Sequence, residues 1–119
     1  MRTKELDDFS LAEIIINKMT DIINNKDYLF LTAKQISIPY KIFLIKHENK
    51  ISYFINPKFY FPTKKTIEHF KKCKKTNKFI KYNKIKEIIV IYYDINNNKK
   101  TYRANDQESI IIQEAINCL

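Results

Sequence analysis

Glycine is absent from this chain of 119 residues, although it makes up about 7% of ordinary proteins. Turns that need a left-handed backbone must therefore be made by other residues, and asparagine and aspartate tolerate that conformation best. The runs Asn24-Asn25 and Asn96-Asn97-Asn98 are expected to take this role.

Cysteine, long apolar runs and arginine are also scarce. The two cysteines, Cys73 and Cys118, are too few for the disulfide framework of a small secreted domain. No apolar run is long enough to span a membrane, and the N-terminus is too polar for a secretory signal. We therefore expect a soluble, intracellular protein. It would be cytoplasmic or, if the AT-rich genome that its Ile, Lys and Asn content indicates is viral, within a virion or an infected cell. Arg2 and Arg103 are the only arginines, which argues against base-specific readout by bidentate contacts.

Lysine, in contrast, is abundant, and the net charge is +9. Residues 64–86 hold ten lysines and a single acid, Glu68. Such a segment attracts a nucleic-acid backbone, the ribosome, an anionic lipid surface or an acidic protein partner, or it is simply a solvated lysine-rich hairpin. The expected anion-binding residues are Lys71, Lys72, Lys74, Lys75 and Lys78.

The hydrophobic fraction of 45% is enough for a core and predicts one domain over residues 1–119. Residues 1–9 are polar and are expected to be loose. Apolar residues then recur at helical spacing, and Ser10 with Glu13 forms the pattern of a capping box. The first helix is therefore predicted over Ser10–Asn24.

Strand patterns follow, and a last helix is predicted over Asn105–Leu119, which gives an α+β fold. Asn56-Pro57 is expected to end the second strand because proline has no N–H for the ladder. The predicted strands are Lys41–Lys46, Ile51–Ile55, Lys58–Phe61 as an edge strand, Lys78–Tyr82, Lys86–Tyr93 and Lys99–Ala104.

Three segments are similar to motifs of one family. Residues 28–35, Tyr-Leu-Phe-Leu-Thr-Ala-Lys-Gln, align with Gly-x-Gly-Leu-Ala-Ala-x-Gln. Residues 71–75 share only the cysteine of Glu-Gly-Cys-Leu-Ser, and residues 113–119 share the first and last residues of Gln-His-Glu-x-Asp-His-Leu. These are the motifs of peptide deformylases, metal enzymes that remove the formyl group from the N-terminal methionine of nascent chains. The resemblance covers roughly residues 10–119. It implies antiparallel strands packed around the motif helix, with the family's N-terminal strand and C-terminal extension truncated.

The resemblance also implies what each catalytic position has become. The family's oxyanion-stabilising glutamine and backbone N–H correspond to Gln35 and Lys74. A buried glutamine that bonds the neighbouring backbone is an equal alternative for Gln35. The family's proton-transferring glutamate is replaced by Ala115, which carries no proton, so no catalytic residue is expected to function. The glycines that contact substrate are replaced by Tyr28 and Phe30, whose rings are expected to fill the groove.

The two metal-binding histidines of the family are replaced by Glu114 and Cys118. Residues at this spacing share a helix face, and together with Cys73 they offer ligands for zinc or iron. The alternative, in which no cofactor is bound, makes Cys118 a small buried hydrophobic residue and leaves Glu114 solvated or paired with a lysine.

Three functions stay open. The first is a non-catalytic binding or assembly module, with a protein partner covering the helix face formed by Ile112, Ala115, Ile116 and Leu119. The second is a divergent metal-dependent deformylase or amide hydrolase that uses Cys73, Glu114 and Cys118. The third is a basic RNA- or ribosome-associated protein.

Overall fold

The computed structural model describes residues 2–72 and 78–119, so Cys73, Lys74 and Lys75 lie outside the described residues. In chain order the elements are α1 (Ala12–Lys26), β1 (Phe30–Thr32), β2 (Ile42–His47), β3 (Lys50–Tyr60), β4 (Thr66–Lys72), β5 (Phe79–Ile85), β6 (Glu87–Tyr93), β7 (Lys99–Asn105) and α2 (Asp106–Ile116). Short 3₁₀ helices at Phe9–Leu11 and Ala33–Ile36 complete the described secondary structure. The predicted α+β fold is confirmed.

The strands form an antiparallel five-stranded sheet in the order β1-β2-β3-β6-β7, and β4 and β5 form a separate hairpin. The two helices cover opposite faces of the larger sheet. Successive residues of β2 point to opposite faces, and they belong to different hydrophobic clusters. Ile42 and Leu44 pack with α1, whereas Phe43 and Ile45 pack with α2. In the α2 cluster, Phe43 stacks on Phe54 with ring centroids 4.7 Å apart.

The helix α1 differs from its prediction at both ends. α1 begins at Ala12 with no side-chain cap, and Asp8 instead caps the 3₁₀ helix that precedes it, since its carboxylate accepts the N–H and the hydroxyl of Ser10. The same hydrogen bonds hold the pKa of Asp8 below its ordinary value. At the C-terminal end the helix continues through Asn24-Asn25 and ends at Lys26, and the next residue, Asp27, takes the left-handed conformation at φ 54°.

The expectation that other residues replace glycine in left-handed turns is confirmed for Asn97 but is wrong for Asn24-Asn25, which lie within α1. Glu48 and Asn49 form the turn between β2 and β3, and Asn97 lies in the turn between β6 and β7. The residues other than glycine with positive φ in the described chain are Asp27, Ser37, Glu48, Asn49, Asn56, Asn97 and Asp106.

Asn56-Pro57 does not end a strand, contrary to the prediction. Asn56 adopts φ 51°, and the pairing of β3 with β6 shifts register between Ile55 and Lys58. This bulge accommodates the proline without a ladder N–H, so β3 continues to Tyr60. The segment predicted as an edge strand therefore pairs with β6 as the second half of β3.

Residues 1–9 were expected to be loose, but the described N-terminal segment is held in place next to the bulge. Leu6 is 2% exposed, and the Asn56 side chain bonds both backbone groups of Leu6. Lys4 pairs with Tyr40 in a β-bridge. The segment is thus attached by its backbone and by one buried side chain.

The helix α2 ends at Ile116, three residues before its predicted end. Ile112 and Ala115 are fully buried in the core that α2 shares with the sheet, and Ile116 and Leu119 pack against that core. The prediction that a partner covers this face is therefore wrong, because the sheet of the same chain covers it.

Candidate functional site

The three segments that resemble family motifs meet at one surface cleft of about 420 Å³. Phe30 comes from the first segment on β1, Lys71 from the second on β4, and Glu114 from the third on α2. The other lining residues are Leu29, His69, Phe70, Gln107, Ile110 and Ile111. The lining is mostly apolar, and its ionisable groups are Lys71, Glu114 and His69.

Gln35 lies in a neighbouring cleft of about 680 Å³ and not in the smaller one. Its Oε1 accepts the backbone N–H of Thr32 at 2.8 Å and the Thr32 hydroxyl at 3.2 Å, while its own N–H is accepted by the Thr32 hydroxyl at 3.3 Å. This reciprocal capping box is the backbone-bonding role that the alternative predicted, although Gln35 is exposed and not buried. Its role as an oxyanion donor stays a prediction.

Tyr28 and Phe30 line the larger cleft, and Phe30 lines the smaller one as well. Tyr28 is exposed and Phe30 is half-buried. Both rings therefore border these clefts. That they exclude a substrate stays a prediction.

Glu114 forms an ion pair with Lys84 of β5 at 3.7 Å, and both side chains are largely buried. Pairing with a lysine was one of the alternatives for this carboxylate. The pair joins α2 to the hairpin and occupies the carboxylate that the metal hypothesis requires.

Cys118 lies past the end of α2, where its backbone N–H bonds the carbonyl of Ala115 at 3.0 Å in a tightened last turn. It is half-buried and is not within the helix whose face it was expected to share with Glu114. Within residues 2–72 and 78–119, no three His, Cys, Asp or Glu side chains are grouped to hold a metal. The described donors therefore do not form a metal site by themselves, and Cys73 lies outside the described residues.

Ala115 is 0% exposed, and its methyl group packs in the cluster of Phe43, Phe54 and Ile112. A carboxylate placed there would lose its hydration unless it found a partner. This position is therefore apolar by its surroundings as well as by its own side chain.

Gln113 is the structural residue of α2 that sequence reasoning missed. Its Oε1 accepts the N–H of Ile85 at 3.1 Å, and its Nε2 donates to the carbonyl of Ile85 at 2.7 Å. Ser109, one turn earlier, donates its hydroxyl to the same carbonyl at 2.9 Å. The only signal in the sequence was that Gln113 coincides with the first residue of the third motif.

The described parts of the lysine-rich segment include the antiparallel strands β4 and β5, which is the strand pairing of a lysine-rich hairpin. Lys71, Lys78 and Lys81 are exposed. Glu68, its one acid, pairs with Lys81 at 2.6 Å, so it neutralises one lysine and leaves the hairpin strongly positive. Anion binding by Lys71, Lys72 and Lys78 stays a prediction, and Lys74 and Lys75 lie outside the described residues.

Helices on both sides of an antiparallel sheet, with three motif segments around one cleft, define an α+β domain of the deformylase type. The sequence model described as "Polypeptide deformylase" matches residues 1–119. The chain belongs to this family. No curated protein matches it significantly.

Solved structures of peptide deformylases have the same fold. The chain is 18% identical to the peptide deformylase of Synechococcus elongatus in complex with actinonin, with a TM-score of 0.82. The matched region covers 98% of this chain but only 65% of that deformylase. For the Thermotoga maritima peptide deformylase the identity is 20%, the TM-score 0.80 and the coverages 94% and 78%. A probable peptide deformylase from Synechococcus phage S-SSM7 is 15% identical, with a TM-score of 0.80 and coverages of 98% and 84%. In the part of the chain that the structure describes, every helix falls short of the length and apolarity needed to cross a membrane.

Proposed function

We propose that this deformylase-family domain does not catalyse deformylation and serves as a binding or assembly module. The observation that carries the proposal is Ala115. It occupies the motif position of the family's proton-transferring glutamate, and its methyl group is enclosed by the core. General acid–base catalysis needs a group that can take and return a proton beside the reacting atoms.

The surroundings of Glu114 support the same proposal. A metal ligand must present its oxygen to the ion, and the Glu114 carboxylate is instead paired with the Lys84 ammonium. That ammonium would also repel a divalent cation brought to the same carboxylate.

The test is a deformylation assay on a formyl-methionyl peptide, run with added zinc, iron or nickel and accompanied by elemental analysis of the purified protein. An active peptide deformylase serves as the positive control. We expect no turnover with any metal. Restoring deformylation is expected to need Glu114→His, Ala115→Glu and Cys118→His together. Catalytic residues act as a unit, so each substitution alone should give little activity.

Metal-dependent turnover by the unmodified protein would overturn the proposal and favour a divergent hydrolase that uses Cys73, Glu114 and Cys118. In that case Cys118→Ser would abolish the turnover.

The binding role rests on the lysine-rich hairpin. The lysines of β4, β5 and their flanks are expected to bind an anionic partner, either a nucleic-acid backbone, including that of the ribosome, or an acidic protein surface. A positive field of this kind acts on any polyanion, so the charge alone does not select the partner.

A further inference from the structure

We infer that the β4–β5 hairpin is a stacking platform for single-stranded nucleic acid. This inference rests on the proposed binding function and names the partner. The lysines would attract the phosphates, and the rings of Phe70 and Phe79 would stack on unpaired bases. The argument comes from the strand register, the exposure of the rings and the charge around them.

The register of the hairpin places both phenylalanines on one face. Phe70 is opposite Lys81, and Phe79 is opposite Lys72, two positions along each strand. Residues directly opposite each other point to the same side of an antiparallel pair, so the two rings are diagonal neighbours. Lys71 and Ile80 form the intervening pair, and Lys71 points to the other face.

Both rings are open to solvent. Phe70 is 57% exposed although it borders the smaller cleft, and Phe79 is 69% exposed. A phenylalanine ring is ordinarily a core group whose burial contributes strongly to stability. Two such rings exposed as neighbours on one strand pair mark an interaction surface.

The lysines beside the two rings favour a nucleic acid as the partner. Lys81 lies on the same face as both phenylalanines and is exposed, and its ammonium pairs with Glu68 of that face at 2.6 Å. Because an exposed ion pair of this kind contributes little to stability, a phosphate can displace the carboxylate, and Lys78, next to Phe79 in the chain, is a second exposed cation. Aromatic rings interleaved with cations bind single strands, because every base offers a π-face and every nucleotide a phosphate. A duplex keeps its bases stacked inside, so it could use the lysines but not the rings.

Two other partners fit this face less well. Glu68 and Asn83 share it and are exposed, and inserting a carboxylate and an amide into a bilayer interface would require their desolvation. An acidic protein would satisfy the lysines but leaves two diagonal rings without a specific role. The absence of arginine from residues 64–86 agrees with binding that tolerates any base sequence.

The experiment measures fluorescence anisotropy of the full chain with labelled oligouridine of about 16 nucleotides, within the range of known single-strand site sizes. Phe70→Leu and Phe79→Leu retain apolar bulk but remove the π-face. Each is expected to weaken binding by about thirtyfold, the middle of the range for loss of one base–aromatic stack. Phe61→Leu is the matched control, because Phe61 is 52% exposed and lies outside the hairpin. Binding by this control is expected to equal that of the parent.

A second comparison separates stacking from charge. An abasic strand of the same length carries the same phosphates, and we expect it to bind the parent as weakly as oligouridine binds the double variant Phe70→Leu, Phe79→Leu. Lys78→Gln is expected to reduce the salt dependence of binding, whereas the phenylalanine variants leave that dependence unchanged. Unchanged thermal unfolding of each variant establishes that the fold is intact.

The inference fails if abasic and natural strands bind equally, if the phenylalanine variants bind like the Phe61→Leu control, or if duplex binds as tightly as single strand. It also fails if phosphatidylserine vesicles bind through the rings while oligouridine does not. These outcomes are independent of the deformylation assay. Turnover would refute the proposed non-catalytic function alone, and loss of stacking in an inactive protein would refute the platform alone.

Discussion

Replacing Asn56 by alanine tests how a chain without glycine builds its bulge and holds its N-terminal segment. The Asn56 side chain accepts the N–H of Leu6 at 2.7 Å and donates to the carbonyl of Leu6 at 2.9 Å. Its backbone is left-handed at φ 51°. Alanine removes both hydrogen bonds and also fits this conformation poorly.

The magnitude follows from these two contributions. With about 1 kcal/mol for each hydrogen bond and about 1 kcal/mol for a left-handed alanine, Asn56→Ala should lower the free energy of unfolding by about 3 kcal/mol. Asn56→Gly loses the hydrogen bonds but not the backbone preference, so it should cost only about 2 kcal/mol. Asn97 is left-handed at φ 63° and exposed, so Asn97→Ala should cost about 1 kcal/mol.

Urea unfolding followed by circular dichroism and tyrosine fluorescence measures all three variants, since the chain has eight tyrosines and no tryptophan. Comparable m-values are needed for the comparison, because an altered slope would mean that the unfolded state had changed as well. Equal losses for Asn56→Ala and Asn56→Gly would refute the left-handed contribution. A loss for Asn56→Ala no larger than that for Asn97→Ala would refute the role of the contacts with Leu6.

Other variants test the core and α2. Gln113→Ala should lower the free energy of unfolding by about 2 kcal/mol, because both backbone groups of Ile85 lose a partner. Gln107→Ala, on the exposed first turn of the same helix, should change it little, and equal effects would contradict the anchoring role. Phe54→Ala should cost about 3–5 kcal/mol as a core truncation, measured by the same unfolding curves. Burial raises the pKa of Tyr102 to about 12, so its protonated form stabilises the fold at neutral pH and that stability is lost as pH rises from 10 through 12. Tyr102→Phe should reduce this alkaline loss in pH-dependent melting curves, and an unchanged loss would assign it to other groups.

Much of the fold was predictable because its signals are local. The period of the first helix, the dense apolar pattern of β6 and the hairpin that follows it were located from neighbouring residues alone. Errors arose where a distant residue decides the outcome. Pro57 predicts the end of a strand. The left-handed Asn56 instead forms a bulge, which lets β3 continue to pair with β6, a strand more than 30 residues away in the chain.

The site was less predictable for the same reason. Resemblance located the first and third segments, and the structure brings them together with the start of the second. The partners of their side chains could not be derived from spacing. Lys84 was one of ten lysines in its segment, and nothing local indicated that it pairs with Glu114. Gln113 was noted as a motif match, but its contacts with β5 depend on how α2 packs.

The first three residues of the third motif segment all take part in contacts within the fold. Gln113 bonds the backbone of β5, Glu114 pairs with Lys84 of the same strand, and Ala115 lies within the core. A carboxylate at Ala115 would have to displace apolar contacts, and a histidine at Glu114 would leave the largely buried Lys84 without its counterion. Removing one partner of such a pair costs more than the pair itself contributes. The residues that would have to change to restore catalysis are therefore among those that now join α2 to the sheet and the hairpin, so catalysis and stability conflict at these positions.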